Sequence, residues 1–176
     1  IVMVRFTIFA LFILMIVARK PGGVRQAVRA KQPWLQILRS LILVSEIGIF
    51  AYAVRYLPLA DIHAIFAVFP LMVTALSVPI LGEKVGIRRW MAVCVGFAGV
   101  LVILRPGHGV FDPMALVALF CALVYALYNV LTRKVSAAGD SSSTTLLYTA
   151  VVGFLAVICV GPWYWLWPTP EQWMWL

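Results

Sequence analysis

Charge is what this 176-residue chain has least of: Asp, Glu, Lys and Arg make up 11% of it, with only six acidic residues. Soluble domains carry charge on roughly a quarter of their residues. With 64% hydrophobic residues and a mean hydropathy of +1.04, a water-solvated globule is excluded. Cysteine and histidine are scarce too, at three and two. Cys94, Cys121 and Cys159 all fall inside apolar runs with no paired spacing, so they are expected to be small buried packing residues, not a disulfide framework or metal site. His63 and His108, even with Asp61 and Asp112, offer few ligands for zinc. No cofactor and no metal is expected. A charged leader and a small-residue cleavage site are also lacking around the first run. Because the chain opens without Met inside an apolar stretch and stops at Leu176, it is expected to be a fragment at both ends.

What is present is a series of apolar runs. Six are long enough to be expected to cross a hydrocarbon core about 30 Å thick, which needs roughly 20 helical residues: 1–18, 37–59, 62–81, 88–104, 113–132 and 144–166. They lack the alternation of barrel strands, so the fold class is an all-α integral membrane protein with six transmembrane helices. Pro21 to Gly23 stops the first helix, and Pro58 to Asp61 makes a tight turn in which Asp61 is expected to cap the next helix. Gly82 closes that helix, and Arg105 to Gly109 separates the fourth run from the fifth. Residues 138–143 form a short polar loop. The segment from Val24 to Lys31 reads either as one interfacial turn, with Arg25 and Arg29 four apart, or as a solvated basic loop.

Eleven of the fourteen Lys and Arg residues sit on alternate connections: Arg19, Lys20, Arg25, Arg29, Lys31 and Arg39, then Lys84, Arg88 and Arg89, then Arg133 and Lys134. Those connections should face the cytoplasm. The net charge of +8 is thereby assigned to loops that meet anionic inner-leaflet lipid, and nucleic acid is not an expected partner. Trp163, Tyr164, Trp165, Trp167, Trp173 and Trp175 crowd the opposite boundary, where indole rings prefer to sit; a ligand cage is the lesser reading.

Several residues do not belong in lipid. Glu46 lies near the middle of the second run, where a carboxylate costs about 2.5 to 3.5 kcal/mol. Either it contacts a cationic substrate or a coupling proton, or it is a buried carboxyl paired within the bundle, with Arg39 as one candidate partner. On the same run Ser45, Gly48, Tyr52 and Arg55 share a face. His63, Ala67, Pro70, Thr74 and Ser77 fall at helical spacing along the third run. There Pro70 frees the carbonyl of Phe66 and bends the rod, as suits a cavity wall. The other reading is close helix packing, with Thr74 and Ser77 bonding their own backbone. Tyr125 and Asn129, one turn apart, can face the same space, beside Tyr128 and Thr132. Ala118, Ala122 and Ala126 form a small-residue strip for helix contact, as do Ala92, Gly96 and Gly99. The fourth run reads as scaffold. Arg5, in the first run, either snorkels to outer phosphates or enters the bundle.

Taken together, RYLPLADIHAIFAVFPL from Arg55, LGEK from Leu81, Arg89 with Trp90, and GFAGVLVILRPG from Gly96 resemble the EamA-like transporters of the drug/metabolite transporter superfamily. VRF from Val4 and ALYNVLTRK from Ala126 look like further helices of that family. The resemblance implies ten spans in two five-helix repeats of opposite orientation. Residues 1–107 would then hold spans two to five, and 113–176 spans six, seven and the opening of eight. The first and sixth runs would be equivalents, with Arg5 set against Tyr148 and Ala10 against Gly153. Pro70 and Glu83 match positions the family expects, whereas Glu46 is not part of the general pattern.

It further implies a secondary transporter working by alternating access, in a multi-pass arrangement in a bacterial inner membrane. The expected partners are a small organic metabolite or drug and membrane lipid, with a homodimer left open. Export is slightly favoured over uptake of a vitamin or amino acid, and proton coupling through Glu46 is an open reading. The site would comprise Glu46, Tyr52, His63, Pro70, Thr74, Ser77, Tyr125 and Asn129, with Arg5 secondary. A polytopic membrane enzyme and a membrane scaffold are the alternatives of other classes.

Overall fold

The computed structural model describes residues 2–20, 23–104 and 113–161. Among them are eight helices and no strand: α1 (Val2–Ala18), α2 (Gly23–Ala27), α3 (Pro33–Ala53), α4 (Leu59–Phe66), α5 (Phe69–Leu81), α6 (Ile87–Leu104), α7 (Pro113–Ala137) and α8 (Ser142–Val160). Four stretches are long and apolar enough to cross a membrane: Pro33–Ala53, Leu59–Leu81, Met114–Ala137 and Ser142–Val160. α1 is a shorter apolar helix. The tryptophan belt, Arg105 to Asp112, and Pro21 with Gly22 lie outside the described residues.

The chain divides into two compact units, one of residues 1–44 and 135–176, the other of residues 45–134. In the first unit α1 packs on α8, with α2 against both. Phe6, Ala10, Ile13 and Val17 are buried at spacings of four, three and four, which is one helix face. That face meets Leu147 and Ala150 of α8 in an apolar cluster. Gly153 makes room for the Phe6 ring: a Cβ there would overlap it. Gly161 lies beside Met3, and Lys20 Nζ donates to Ser143 Oγ at 2.7 Å, so the two helices run antiparallel. Lipid tails are as apolar as the side chains, so such a pair is held by close van der Waals fit, which explains a glycine at the contact.

In the second unit Val73 of α5 meets Ala126 and Val130 of α7, flanked by Phe69, Met72, Leu76 and Ile80. The strip of Ala118, Ala122 and Ala126 is fully buried. Lys134 Nζ donates to the Ile80 carbonyl at the C-terminal end of α5, where a cation meets the negative end of the helix dipole. Gly82 then terminates α5 in the left-handed conformation, φ 69°, and donates its N–H to Val78. In the α6 strip Gly96 abuts Leu71, but Ala92 and Gly99 are exposed, so only one of the three small residues serves packing among the described residues.

Three sequence expectations need correction. Arg39 is not a loop residue: α3 begins at Pro33, and Arg39 is fully buried in its second turn. Asp61 does not cap. α4 already begins at Leu59, with Pro58 in an extended conformation as its N-cap and no side-chain capping bond, which leaves Asp61 inside the first turn. There its charge still favours the positive helix end. Of the cysteines only Cys121 is buried; Cys94 and Cys159 are exposed. The third run does bend as expected, and both residues of the turn, Ala67 and Val68, keep right-handed helical torsions. The helix is interrupted at Ala67 and Val68, with Pro70 in the first turn of α5, because proline cannot donate to the Phe66 carbonyl. Of the two readings of Val24 to Lys31, a short helical turn is what forms, as α2 over Gly23–Ala27.

Candidate functional site

The buried side of α3 carries the polar residues. Glu46 is 7% exposed, in the half of α3 belonging to the second unit. Cys121 of α7, wholly buried, places Sγ 3.4 Å from the Glu46 carbonyl oxygen and 3.7 Å from Oε1. Its thiol is a weak donor shared between the two acceptors. The Ala118–Ala122 strip lets α7 come close enough for that contact.

One turn along from Glu46 on α3 is Phe50, and one turn along from Cys121 on α7 is Tyr125. Rings link the two. Phe50 meets Phe66 edge-on at 5.5 Å, Phe66 lies 6.4 Å from Tyr125, Phe69 lies 5.1 Å from Tyr125, and Tyr128 stacks with Tyr125 at 6.2 Å. All five rings are half-buried. The break between α4 and α5 sets Phe66 and Phe69 on either side of the interruption, both within reach of α7. A carboxyl at one end of an aromatic row can hold a cation or a proton, while the ring faces take planar apolar groups or cations.

Other expected site residues are placed as follows. Thr74 Oγ1 donates to the Pro70 carbonyl at 3.0 Å and Ser77 Oγ to the Thr74 carbonyl at 2.8 Å, so these hydroxyls are spent on their own helix. Asn129 Nδ2 likewise donates to the Tyr125 carbonyl at 2.8 Å, and Thr132 to Tyr128. His63 and Pro70 are exposed. Tyr52 is exposed beside Tyr56, ring centroids 5.1 Å apart, on the face that also carries Ser45, Gly48 and Arg55, all exposed. Arg5 is exposed on α1, in the other unit.

The sequence reading missed two features. One is the aromatic row: its rings come from four helices, and Phe50, Phe66 and Phe69 look like ordinary apolar residues in their runs. The other is a buried polar network in the first unit. Arg39 donates through Nε to Gln36 Oε1 at 2.7 Å, and through Nη2 to Thr149 Oγ1 at 2.7 Å and to the Thr145 carbonyl. Gln36 Nε2 donates in turn to Asp140 Oδ2 at 2.9 Å. Gln36, Arg39 and Ser40 are all 0% exposed, so the guanidinium is kept inside by a chain of oriented acceptors. Asp140 also accepts from the Lys31 backbone N–H at 2.7 Å, which ties the first basic connection to the α7–α8 turn.

The S-adenosylmethionine uptake transporter of Rickettsia prowazekii is 27% identical to this chain over 145 residues, 82% of the chain and 49% of that protein. The riboflavin transporter of Vibrio cholerae is 34% identical over 130 residues, 73% of the chain and 43% of that protein. Protein RarD of Streptomyces exfoliatus is 26% identical over 141 residues, 78% of the chain and 44% of that protein. The chain thus spans about half the length of the curated relatives it matches. No solved structure matches it. The EamA-like transporter family matches residues 1–105, well over half of the chain. Four apolar stretches among the described residues are long enough to span a membrane, and the chain belongs to the EamA-like transporter family as an integral membrane protein.

Proposed function

We propose that the protein moves a small organic metabolite with a planar ring system across a bacterial-type inner membrane by alternating access. The observation that carries this reading is Glu46, a buried carboxyl at the end of a row of half-buried aromatic rings inside a membrane-spanning unit. Two similar proteins are named for S-adenosylmethionine and riboflavin. Each of those compounds joins a flat heterocycle to polar groups, and the first is also a cation. Aromatic faces suit the ring, and Glu46 suits a cationic group or a coupling proton.

Direction follows the relatives. The Rickettsia proteins are named as uptake transporters, which favours uptake and gives the expected preference for export no support. The architecture we propose has ten spans in two inverted repeats, with residues 1–107 in the first and 113–176 opening the second. The antiparallel contact of α1 with α8 fits this, since equivalent helices related by a two-fold axis in the membrane plane run oppositely where they meet. The six runs are then six of the ten spans. Tyr52, His63, Pro70, Thr74, Ser77, Tyr125 and Asn129 line or shape the path on this reading. Thr74, Ser77 and Asn129 act through helix geometry, given their backbone bonds. Arg5 stands at the outer end.

The test is flux into proteoliposomes holding the full-length protein, with labelled riboflavin and S-adenosylmethionine as probes. Saturable uptake of either, lost in Glu46→Gln with insertion intact, is the expected result. Equal flux in wild type and Glu46→Gln removes the assignment of Glu46. No flux of either probe, nor competition by other planar metabolites, removes the substrate class.

A further inference from the structure

A cavity of about 320 Å³ opens in the first unit at the end where α1 finishes and α8 begins. That volume is at the lower end of ligand sites, roughly 300 to 1,000 Å³. Lys20, Arg29 and Lys31 line it, against the single carboxylate of Asp140. Both Asp140 oxygens are already engaged by neutral donors, the Lys31 backbone N–H and Gln36 Nε2. The cavity is therefore electropositive. Its fourth wall is the α7–α8 turn with the first turn of α8, where Ser141 accepts from the Thr144 N–H. The earlier amides of that turn have no acceptor within the helix.

Two of the cations are positioned, not merely nearby. Lys20 Nζ is fixed to Ser143 Oγ at 2.7 Å. Lys31 lies over Gly139, whose φ of 89° requires glycine and where a Cβ would come within 2.7 Å of the ammonium nitrogen. The Tyr148 hydroxyl donates to the Val28 carbonyl at 3.1 Å and holds the basic connection against α8. The depth of the cavity is marked by its surroundings. On α2 Ala27 is buried while Val24 and the following Val28 are exposed, and Trp34 at the start of α3 is 81% exposed. Apolar side chains and an indole turned outward beside a basic loop are the signature of the headgroup boundary.

We propose that this cavity binds the phosphodiester headgroup of an anionic phospholipid from the cytoplasmic leaflet, with Lys20, Arg29 and Lys31 as its cationic ligands. An occupied site would link α1, α2 and the α7–α8 turn into one inner-face assembly. It is distinct from the Glu46 region, and neither depends on the other.

The experiment is native mass spectrometry of the full-length protein, delipidated in detergent and titrated with phosphatidylglycerol or phosphatidylcholine at constant salt. Each cation near the surface is worth about fivefold in affinity. Lys20→Gln/Arg29→Gln/Lys31→Gln should weaken phosphatidylglycerol binding about a hundredfold, and Lys31→Gln alone about fivefold. Arg25→Gln removes the same kind of charge outside the cavity and should change nothing; Lys20→Arg/Lys31→Arg should retain the lipid, which separates charge from misfolding. Equal weakening by Arg25→Gln, or equal retention of phosphatidylcholine, overturns the proposal. Displacement of phosphatidylglycerol by millimolar inorganic phosphate overturns the lipid as ligand and assigns a free phosphate.

Discussion

Gln36 stands between Arg39 and Asp140 with its amide oriented by both: Oε1 accepts from Arg39 Nε at 2.7 Å and Nε2 donates to Asp140 Oδ2 at 2.9 Å. A neutral side chain thus couples a cation in α3 to an anion in the α7–α8 turn. Removing one member of such a buried chain leaves polar atoms on its neighbours unsatisfied, which costs more than the lost bond itself. Gln36→Leu is expected to lower stability by about 3 kcal/mol, and Arg39→Lys by about 2 kcal/mol, because an ammonium cannot reproduce the guanidinium fork. Thermal melting of the full-length protein in detergent checks both; melting unchanged by Gln36→Leu would show the network to be dispensable.

Gly153 against Phe6 makes a second prediction. Gly153→Val places a branched side chain where the ring already is, and overpacking of this kind costs about 1 to 3 kcal/mol. Phe6→Ala in the same chain should restore part of the loss, since the ring is the obstacle. A double-mutant cycle in which the two changes are simply additive would contradict that contact.

Cys121 offers a third. Cys121→Ser keeps a donor for Glu46 in nearly the same volume, whereas Cys121→Ala leaves the carboxyl without one. On the proposed transport reading, flux should survive the serine variant and fall several-fold in the alanine variant, the loss of a buried bond being worth about 1 kcal/mol or more. Proteoliposome uptake with matched protein amounts measures it, and equal flux in both variants would make the thiol irrelevant.

Tyr125 touches Phe66, Phe69 and Tyr128, so it is the node of the aromatic row. Tyr125→Phe should keep substrate affinity within about twofold, and Tyr125→Ala should lower it about tenfold, since an aromatic pair contributes about 0.5 to 1.5 kcal/mol beyond its area. Transport KM is the readout. A tenfold loss in Tyr125→Phe would shift the role from the ring to its hydroxyl.

Much of the architecture is legible in the sequence. The helix end at Gly82 and the burial of the Ala118–Ala126 strip follow from punctuation and spacing, whereas the four-residue spacing of Arg25 and Arg29 leaves α2 open between a turn and a loop. The burial of Glu46 is legible because an acid in an apolar run has no good lipid-facing option. Arg39 is not: a cation six residues after Pro33 looks like the tail of a basic loop, and only the acceptors on α8 make its burial tolerable. Those acceptors come from more than a hundred positions away. The same holds for the aromatic row, whose members are scattered among ordinary core residues. The hydroxyls of Thr74 and Ser77 show the converse, since their spacing suits a pocket wall while their bonds return to the helix.

The interruption at Ala67 and Val68 gives the α4–α5 span two independent anchorages. Its inner piece is wedged by Val73 against α7 and clamped at its tail by Lys134, whereas the outer piece is joined to it through two torsion-bearing residues. Ala67 and Val68 keep backbone bonds of their own, to the His63 and Ile65 carbonyls, so the bend is a held turn of helical conformation. Pro70 has no N–H to offer the Phe66 carbonyl four residues back, so the bend leaves this 23-residue span one helical bond short near its middle.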